Sequence, residues 1–236
     1  MSKHLSLLLA ALLMTCSFSA CGQDHAGHDH AGHDHAKAAD STPGAAEAGK
    51  NYFIIDPPLP TSTGNKIEVV EVFSYACVHC ASFQPYADQL KQALPPHAQF
   101  TYMPAIFNPA WEAYARAYYT AQSLGVLEQT HQKLFDAIHR DRRQMRSFDD
   151  IVAFFVENGV DPERFTQASN SFEIESKLAR SREYVPKYGI DGTPTLIVNG
   201  KYRLTGQSAG GYPQMVELTQ LLVKQEHEAK AKGKSK

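Results

Sequence analysis

The chain has 236 residues, enough for one domain or for one domain with a large insertion. A formal charge of -2 leaves no basic excess to hold nucleic acid through its phosphates. Hydrophobic residues make up 43% of the chain, enough for a sizeable core, and only four cysteines need an explanation.

Lys3 and His4 precede an apolar run over residues 5–14, the pattern of a signal peptide and too short for a stable membrane span. An Ala-x-Ala cleavage site is missing, because Phe18 stands where a small residue is needed. Phe18-Ser19-Ala20-Cys21 instead resembles a bacterial lipoprotein box, with Phe18 departing from the usual aliphatic residue. Residues 1–20 are therefore read as a lipoprotein-type signal peptide and Cys21 as the lipidation site, with a soluble secreted form as the alternative. Both place the domain where disulfides persist. Residues 24–36 then repeat Gly-His-Asp-His-Ala, so that His25, His28, His30, His33 and His35 interleave with Asp. Imidazole suits zinc, copper and nickel. The reading preferred here is a His-rich flexible linker over residues 21–50, with weak metal binding as a side property.

Residues 51–56 can form a short strand, and Pro57, Pro58 and Pro60 open a turn-rich connection. Residues 67–75 read as a buried strand that runs into Cys77-Val78-His79-Cys80. A helix is predicted over 81–94 from the spacing of Phe83, Ala87, Leu90 and Leu94, kinked by Pro85 and stopped by Pro95-Pro96. A strand over 99–103 completes a parallel crossover. Two thiols thus sit where a strand hands over to a helix. The unpaired N–H groups and positive dipole end at the helix N-terminus favour Cys77 as thiolate, the nucleophile of disulfide exchange. Cys80, one turn on, is close enough to attack a mixed disulfide formed at Cys77. A structural zinc site would need four ligands, yet no Cys follows residue 80 and His79 lies badly between the two thiols. Cys16 falls in the leader, so no cysteine remains for a structural disulfide.

From residue 111 to 189 the texture is helical. Helices are predicted over 111–123, closed near Gly125, and over 127–140 with Leu127, Leu134, Phe135 and Ile138 inward. Ser147 caps a third with Asp150 in capping-box position and Gly159 at its end; Asp161-Pro162 starts a fourth; 171–188 is the last. Trp111, Tyr118-Tyr119 and Phe154-Phe155 are read as core of this block. Strand character returns at 195–198 and 201–204 around Asn199-Gly200, the preferred pair of a type I′ hairpin. Pro213 opens a helix through 223. The chain from Lys224, with a Lys-rich tail over 226–236, is expected to fray. An all-helical insertion, 111–189, therefore divides an α/β unit formed by 51–110 and 190–225.

The strand Val70-Glu71-Val72-Phe73-Ser74, the Cys77-Val78-His79-Cys80 motif, the helical insertion and Gly192-Thr193-Pro194-Thr195 with Val198-Asn199-Gly200-Lys201-Tyr202 together resemble the DsbA family, over roughly residues 49–225. These are periplasmic thiol:disulfide oxidoreductases of the thioredoxin superfamily. The resemblance implies an α/β thioredoxin fold with an inserted all-helical domain. It implies Cys77 as exposed nucleophile, Cys80 as buried resolving thiol, and His79 as a stabiliser of the thiolate. Pro194 would be the cis-proline that, with Thr193, Val78 and His79, meets an extended substrate chain. Glu71 would be a buried acid that handles protons. Two departures stand out: Val78 replaces the usual Pro between the thiols, and the strand over 100–103 lacks the Lys that often partners the acid.

The resulting expectation is a dithiol oxidase that donates its Cys77–Cys80 disulfide to unfolded or newly exported Cys-containing proteins. Its redox-active cysteine pair would need no cofactor, and a quinone-linked, DsbB-like membrane reoxidase would regenerate it. A monomer without nucleic-acid partners is expected in the periplasm, held by a lipidated Cys21. The rivals are a disulfide isomerase or reductase, and a metal-binding lipoprotein that works through its His-rich segment. Against the first, the place of a folded N-terminal dimerisation domain is taken by the His/Ala/Gly linker.

Overall fold

The computed structural model describes residues 46–234. The expected signal peptide, Cys21, His25, His28, His30, His33 and His35 lie outside the described residues. The last few residues of the expected linker lie inside them. There Asn51 N–H donates to Glu47 O (2.9 Å) and Gly49 N–H to Tyr52 O (2.7 Å), so the chain is already turned back before the first strand.

Among the described residues five strands make one sheet: β1 (Phe53–Ile54), β2 (Ile67–Phe73), β3 (Ala98–Pro104), β4 (Thr195–Val198) and β5 (Tyr202–Thr205). Their order across the sheet is β1-β5-β4-β2-β3. β2 and β3 are parallel, joined by helix α1 (Val78–Ala93), while β4 runs antiparallel to β2 and to β5. Every residue of β2 is buried, because helices cover both faces of the sheet; this is why its sequence is so nearly continuous in apolar residues. Side chains alternate along the strand. Ile67 and Val69 pack with Phe83, Ala87 and Leu90 of α1, whereas Val70 and Val72 pack with Val185, Tyr188 and Ile190 on the other face. Glu68 and Glu71 consequently fall on opposite faces.

The hairpin forms as predicted from Asn199-Gly200, both at positive φ (53° and 66°). The insertion holds α2 (Pro109–Ser123), α3 (Leu127–Phe135), α4 (Phe148–Glu157), α5 (Pro162–Ser169) and α6 (Phe172–Lys187). Ser147 and Asp150 make the expected capping box, and Asp161 caps α5 ahead of Pro162. α2 starts two residues before its predicted place. Asn108 Oδ1 accepts from Trp111 N–H at 3.0 Å and Pro109 occupies the first turn, where its missing N–H costs nothing. The helix predicted over 127–140 changes character after Phe135, and Asp136–Arg140 is a π-turn closed by Asp141 N–H donating to Asp136 O (2.9 Å). Tyr118, Tyr119, Phe154 and Phe155 are core of the insertion, but Trp111 packs against the Val70/Val72 face of the sheet and on Phe107.

The C-terminal segment corrects the expectation of a frayed tail. After the short α7 (Gly206–Ala209), helix α8 runs Tyr212–Lys234. Glu226 is only 6% exposed and accepts from Asn199 Nδ2 (2.7 Å), Lys201 Nζ (2.9 Å) and Tyr202 OH (2.9 Å). The hairpin tip thus offers three donors to one carboxylate, and the helix continues to meet them.

Candidate active site

β2 ends at Phe73, and Ser74 to Cys77 form a tight turn. Cys77 N–H donates to Ser74 O (3.1 Å) and Ala76 N–H to Ser74 Oγ (3.2 Å), the local bonding that favours Ser at the first turn position. The turn delivers Cys77 to the N-cap of α1, with extended backbone (φ -91°, ψ 114°). Its sulfur accepts from Cys80 N–H at 3.4 Å, which fills one of the open donors of the helix start. The helix begins at Val78, three residues earlier than its apolar spacing suggested, because the cap is the sulfur itself. A cysteine cap is not among the usual Ser, Thr, Asp and Asn.

Both cysteines are free thiols, and their environments differ sharply. Cys77 is half-buried, and its pKa is lowered from an ordinary 9.0 to about 5. The largest cause is a hydrogen bond from the Cys80 side chain. Thr193 and the N–H groups of Cys80 and His79 add to it, while burial opposes. Cys80 is fully buried; desolvation first, then its bond to Cys77 and the Glu71 charge, pushes its thiol far up. One sulfur is set to be an anion and the other a neutral thiol, so proton and charge are already separated across three residues of chain.

Thr193 and Pro194 lie against this pair, joined by a cis peptide. In the protonated form Cys77 Sγ–H donates to Thr193 O at 3.3 Å. The Thr193 hydroxyl is buried with no other partner and favours the charged form of both sulfurs. A groove of about 550 Å³ opens beside them, lined by His79, Asp191, Thr193, Pro194, Gln207 and Tyr212, among others. Val78 is 57% exposed outside that lining. His79 is exposed; its carbonyl accepts from Tyr212 OH (3.3 Å) and its N–H supports the Cys77 thiolate. Tyr212, absent from the sequence-based candidates, packs edge-on against Phe83 with ring centroids 5.1 Å apart. Its only signal in the sequence was its place at the start of the last helix.

Glu71 lies on the α1 face of β2, fully buried, and neither carboxylate oxygen has a hydrogen-bond partner. Burial raises its pKa to about 8, against a lowering by Lys91. Lys91 was also missed. It projects from α1, not from the neighbouring strand, with Nζ 4.7 Å from the ring centroid of Tyr102, and Tyr102 is the residue paired with Glu71 across β2 and β3. Lys91 Nζ also pairs with Asp88, three residues back on the same helix, at 2.9 Å. Among the described residues no group of three or more His, Cys, Asp or Glu is placed to hold a metal ion.

The family model for the DSBA-like thioredoxin domain matches residues 68–211, which include Glu71, both thiols, the insertion and Pro194. The thiol:disulfide interchange protein DsbA of Pseudomonas aeruginosa is 35% identical over 185 residues, 78% of this chain and 88% of that protein. The protein of the same name from Azotobacter vinelandii is 32% identical over 193 residues, 82% of this chain and 90% of its own length. A crystal structure of the Pseudomonas aeruginosa DsbA superposes with a TM-score of 0.75 at 34% identity, and the match covers 78% of this chain and 96% of that one.

Proposed function

The chain belongs to the DSBA-like thioredoxin-domain family and is a thiol:disulfide oxidoreductase that oxidises cysteine pairs; from that premise we propose a division of labour among its residues. A thiolate of a substrate protein attacks Cys77 Sγ of the Cys77–Cys80 disulfide. The S–S bond breaks and its electron pair goes to Cys80, which takes the proton of Glu71. With a pKa of about 8, Glu71 carries that proton at neutral pH and lies within the same buried layer. The substrate's second thiolate then attacks its own sulfur in the mixed disulfide and releases Cys77 as thiolate. Two electrons pass to the enzyme; the substrate's two thiols release two protons, one of which replaces on Glu71 the proton given to Cys80, and the other stays in solvent.

The observation that carries this reading is the asymmetry of the two sulfurs, with Cys77 held near 5 at a helix N-cap and Cys80 buried as a neutral thiol. A stable Cys77 thiolate is a good leaving group, which favours donation of the disulfide over its retention. The groove beside Pro194 would take an extended, Cys-containing segment, with Thr193, His79 and Val78 around it. A DsbB-like, quinone-linked membrane protein would restore the disulfide. The place of work would be the periplasm, with Cys21 as a lipid anchor. Cys77→Ser should abolish oxidation of a reduced, unfolded substrate, whereas Cys80→Ser should accumulate substrate disulfide-linked to Cys77. Substrate trapped on Cys80 in the Cys77→Ser variant would reverse the assignment.

A further inference from the structure

The turn that delivers Cys77 to its helix is held from outside, at Tyr75. Tyr75 is 1% exposed and sits in the second position of the Ser74–Cys77 turn. Its phenol meets His131 Nδ1 of α3 at 2.7 Å. Its backbone carbonyl accepts from His139 Nε2 of the π-turn, also at 2.7 Å. One residue of the active-site turn is thus gripped at both ends, side chain and main chain, by two histidines of the insertion.

The π-turn makes this double grip reachable. In an uninterrupted α-helix, residues eight apart are rotated by roughly 80°. The wider i→i+5 turn over Asp136–Arg140 spends fewer degrees per residue and swings His139 back toward the face that carries His131. Such turns weaken helix geometry, and they are frequent where a function needs them. Burial pushes the His131 imidazole down to about 3, so it is neutral. With Tyr75 OH donating to Nδ1, the ring proton is on Nε2, which is buried with no oxygen or nitrogen partner, and the imidazole packs among aromatic rings. Tyr102 and Phe73 lie 4.6 and 5.4 Å away, centroid to centroid. A histidine that leaves one nitrogen buried and unpaired is a costly way to fill a core. The carbonyl of Tyr75, at a turn, would otherwise lack a protein partner.

We propose that His131 and His139 are positioning residues, through which the helical insertion sets the place of Cys77 at the start of α1 by clamping Tyr75. The inference rests on Cys77 as the nucleophile. If the turn slackens, the 3.4 Å hydrogen bond from Cys80 N–H to Cys77 Sγ is the first to lengthen, and the thiolate loses a donor.

The test compares the reduced full chain with Tyr75→Phe, His139→Ala and His139→Gln. Each is assayed for the pH dependence of Cys77 alkylation by iodoacetamide, for the glutathione equilibrium constant and for thermal melting. Tyr75→Phe and His139→Ala should shift the midpoint of alkylation upward and slow it at pH 4, below the wild-type midpoint, by roughly two- to tenfold, the range for loss of one net hydrogen bond. His139→Gln, whose amide can donate to the same carbonyl, should bring the profile back toward wild type. Variants that melt earlier but keep the wild-type profile and equilibrium constant would overturn the proposal, leaving the clamp a purely stabilising contact. If His139→Ala does not fold, His139→Phe, which keeps a ring but has no donor for the carbonyl, takes its place, while Tyr75→Phe reads the His131 grip. Wild-type protein whose Cys77 is not alkylated below the ordinary thiol range would instead overturn the assignment of Cys77 itself.

Discussion

The stability of the reduced protein relative to the oxidised one should depend on pH, and the structure sets the window. Forming the disulfide constrains the unfolded chain, but a four-residue loop contributes only about 2 kcal/mol. Reduction restores the Cys77 thiolate, whose pKa falls from an ordinary 9.0 to about 5 on folding. A depressed folded pKa gives stability that is complete above the unfolded value and is lost as pH falls through the folded one. At pH 7 two units of that shift are in play, at most about 2.7 kcal/mol. Cys77 is half exposed, so solvent screening reduces this to between about 1.4 and 2.7 kcal/mol. The two terms nearly cancel at pH 7, and the redox forms should melt close together. At pH 4 the thiolate contribution is gone, and the oxidised form should lead. The gap should therefore swing by roughly 3–10 °C between pH 7 and pH 4 for a domain of this size. Cys80 does not blur the window, because burial raises its pKa and it penalises the reduced form only above the ordinary thiol range. Calorimetric melts of both forms from pH 4 to pH 8 measure the swing. A gap that stays constant over that range would show that no strongly stabilised thiolate exists at Cys77.

Glu71→Gln should stabilise the protein at pH 7 by about 2–3 kcal/mol and leave it unchanged near pH 4, because a buried acid raised to about 8 loses stability as pH climbs past its unfolded value of 4.5. Denaturant titrations at the two pH values test this, and stopped-flow measurement of Cys80 protonation should show a slower step. Glu226→Ala leaves Asn199, Lys201 and Tyr202 without their shared acceptor and should cost about 2–3 kcal/mol, with hydrogen exchange rising at the hairpin and in the last turns of α8. Unchanged exchange there would mean that α8 does not depend on the hairpin. Cell fractionation tests the anchor: Cys21→Ser should release the protein from membranes or block its processing, and wild-type protein found wholly in the soluble fraction would remove the lipid from the reading.

Much of the fold and the core of the site could be read from local pattern. β2 announced itself by a run of apolar residues, the hairpin by Asn199-Gly200, and α4 and α5 by their caps, because each signal acts within a few residues of chain. The two thiols were legible for the same reason: strand, Cys-x-x-Cys and helix are contiguous. What the tertiary structure alone decided are the contacts that join distant segments. Lys91 faces the Glu71 layer from a helix and not from a strand, and the burial that raises Glu71 exists only once both faces of β2 are covered. α8 continues past Val223 because a hairpin more than twenty residues away presents three donors to Glu226. The π-turn after Phe135 follows from no residue within it; its His139 meets a carbonyl at Tyr75, and only a folded chain brings those two together. Local propensity chooses elements, whereas desolvation and hydrogen bonding between elements decide where they end and which of their side chains become reactive.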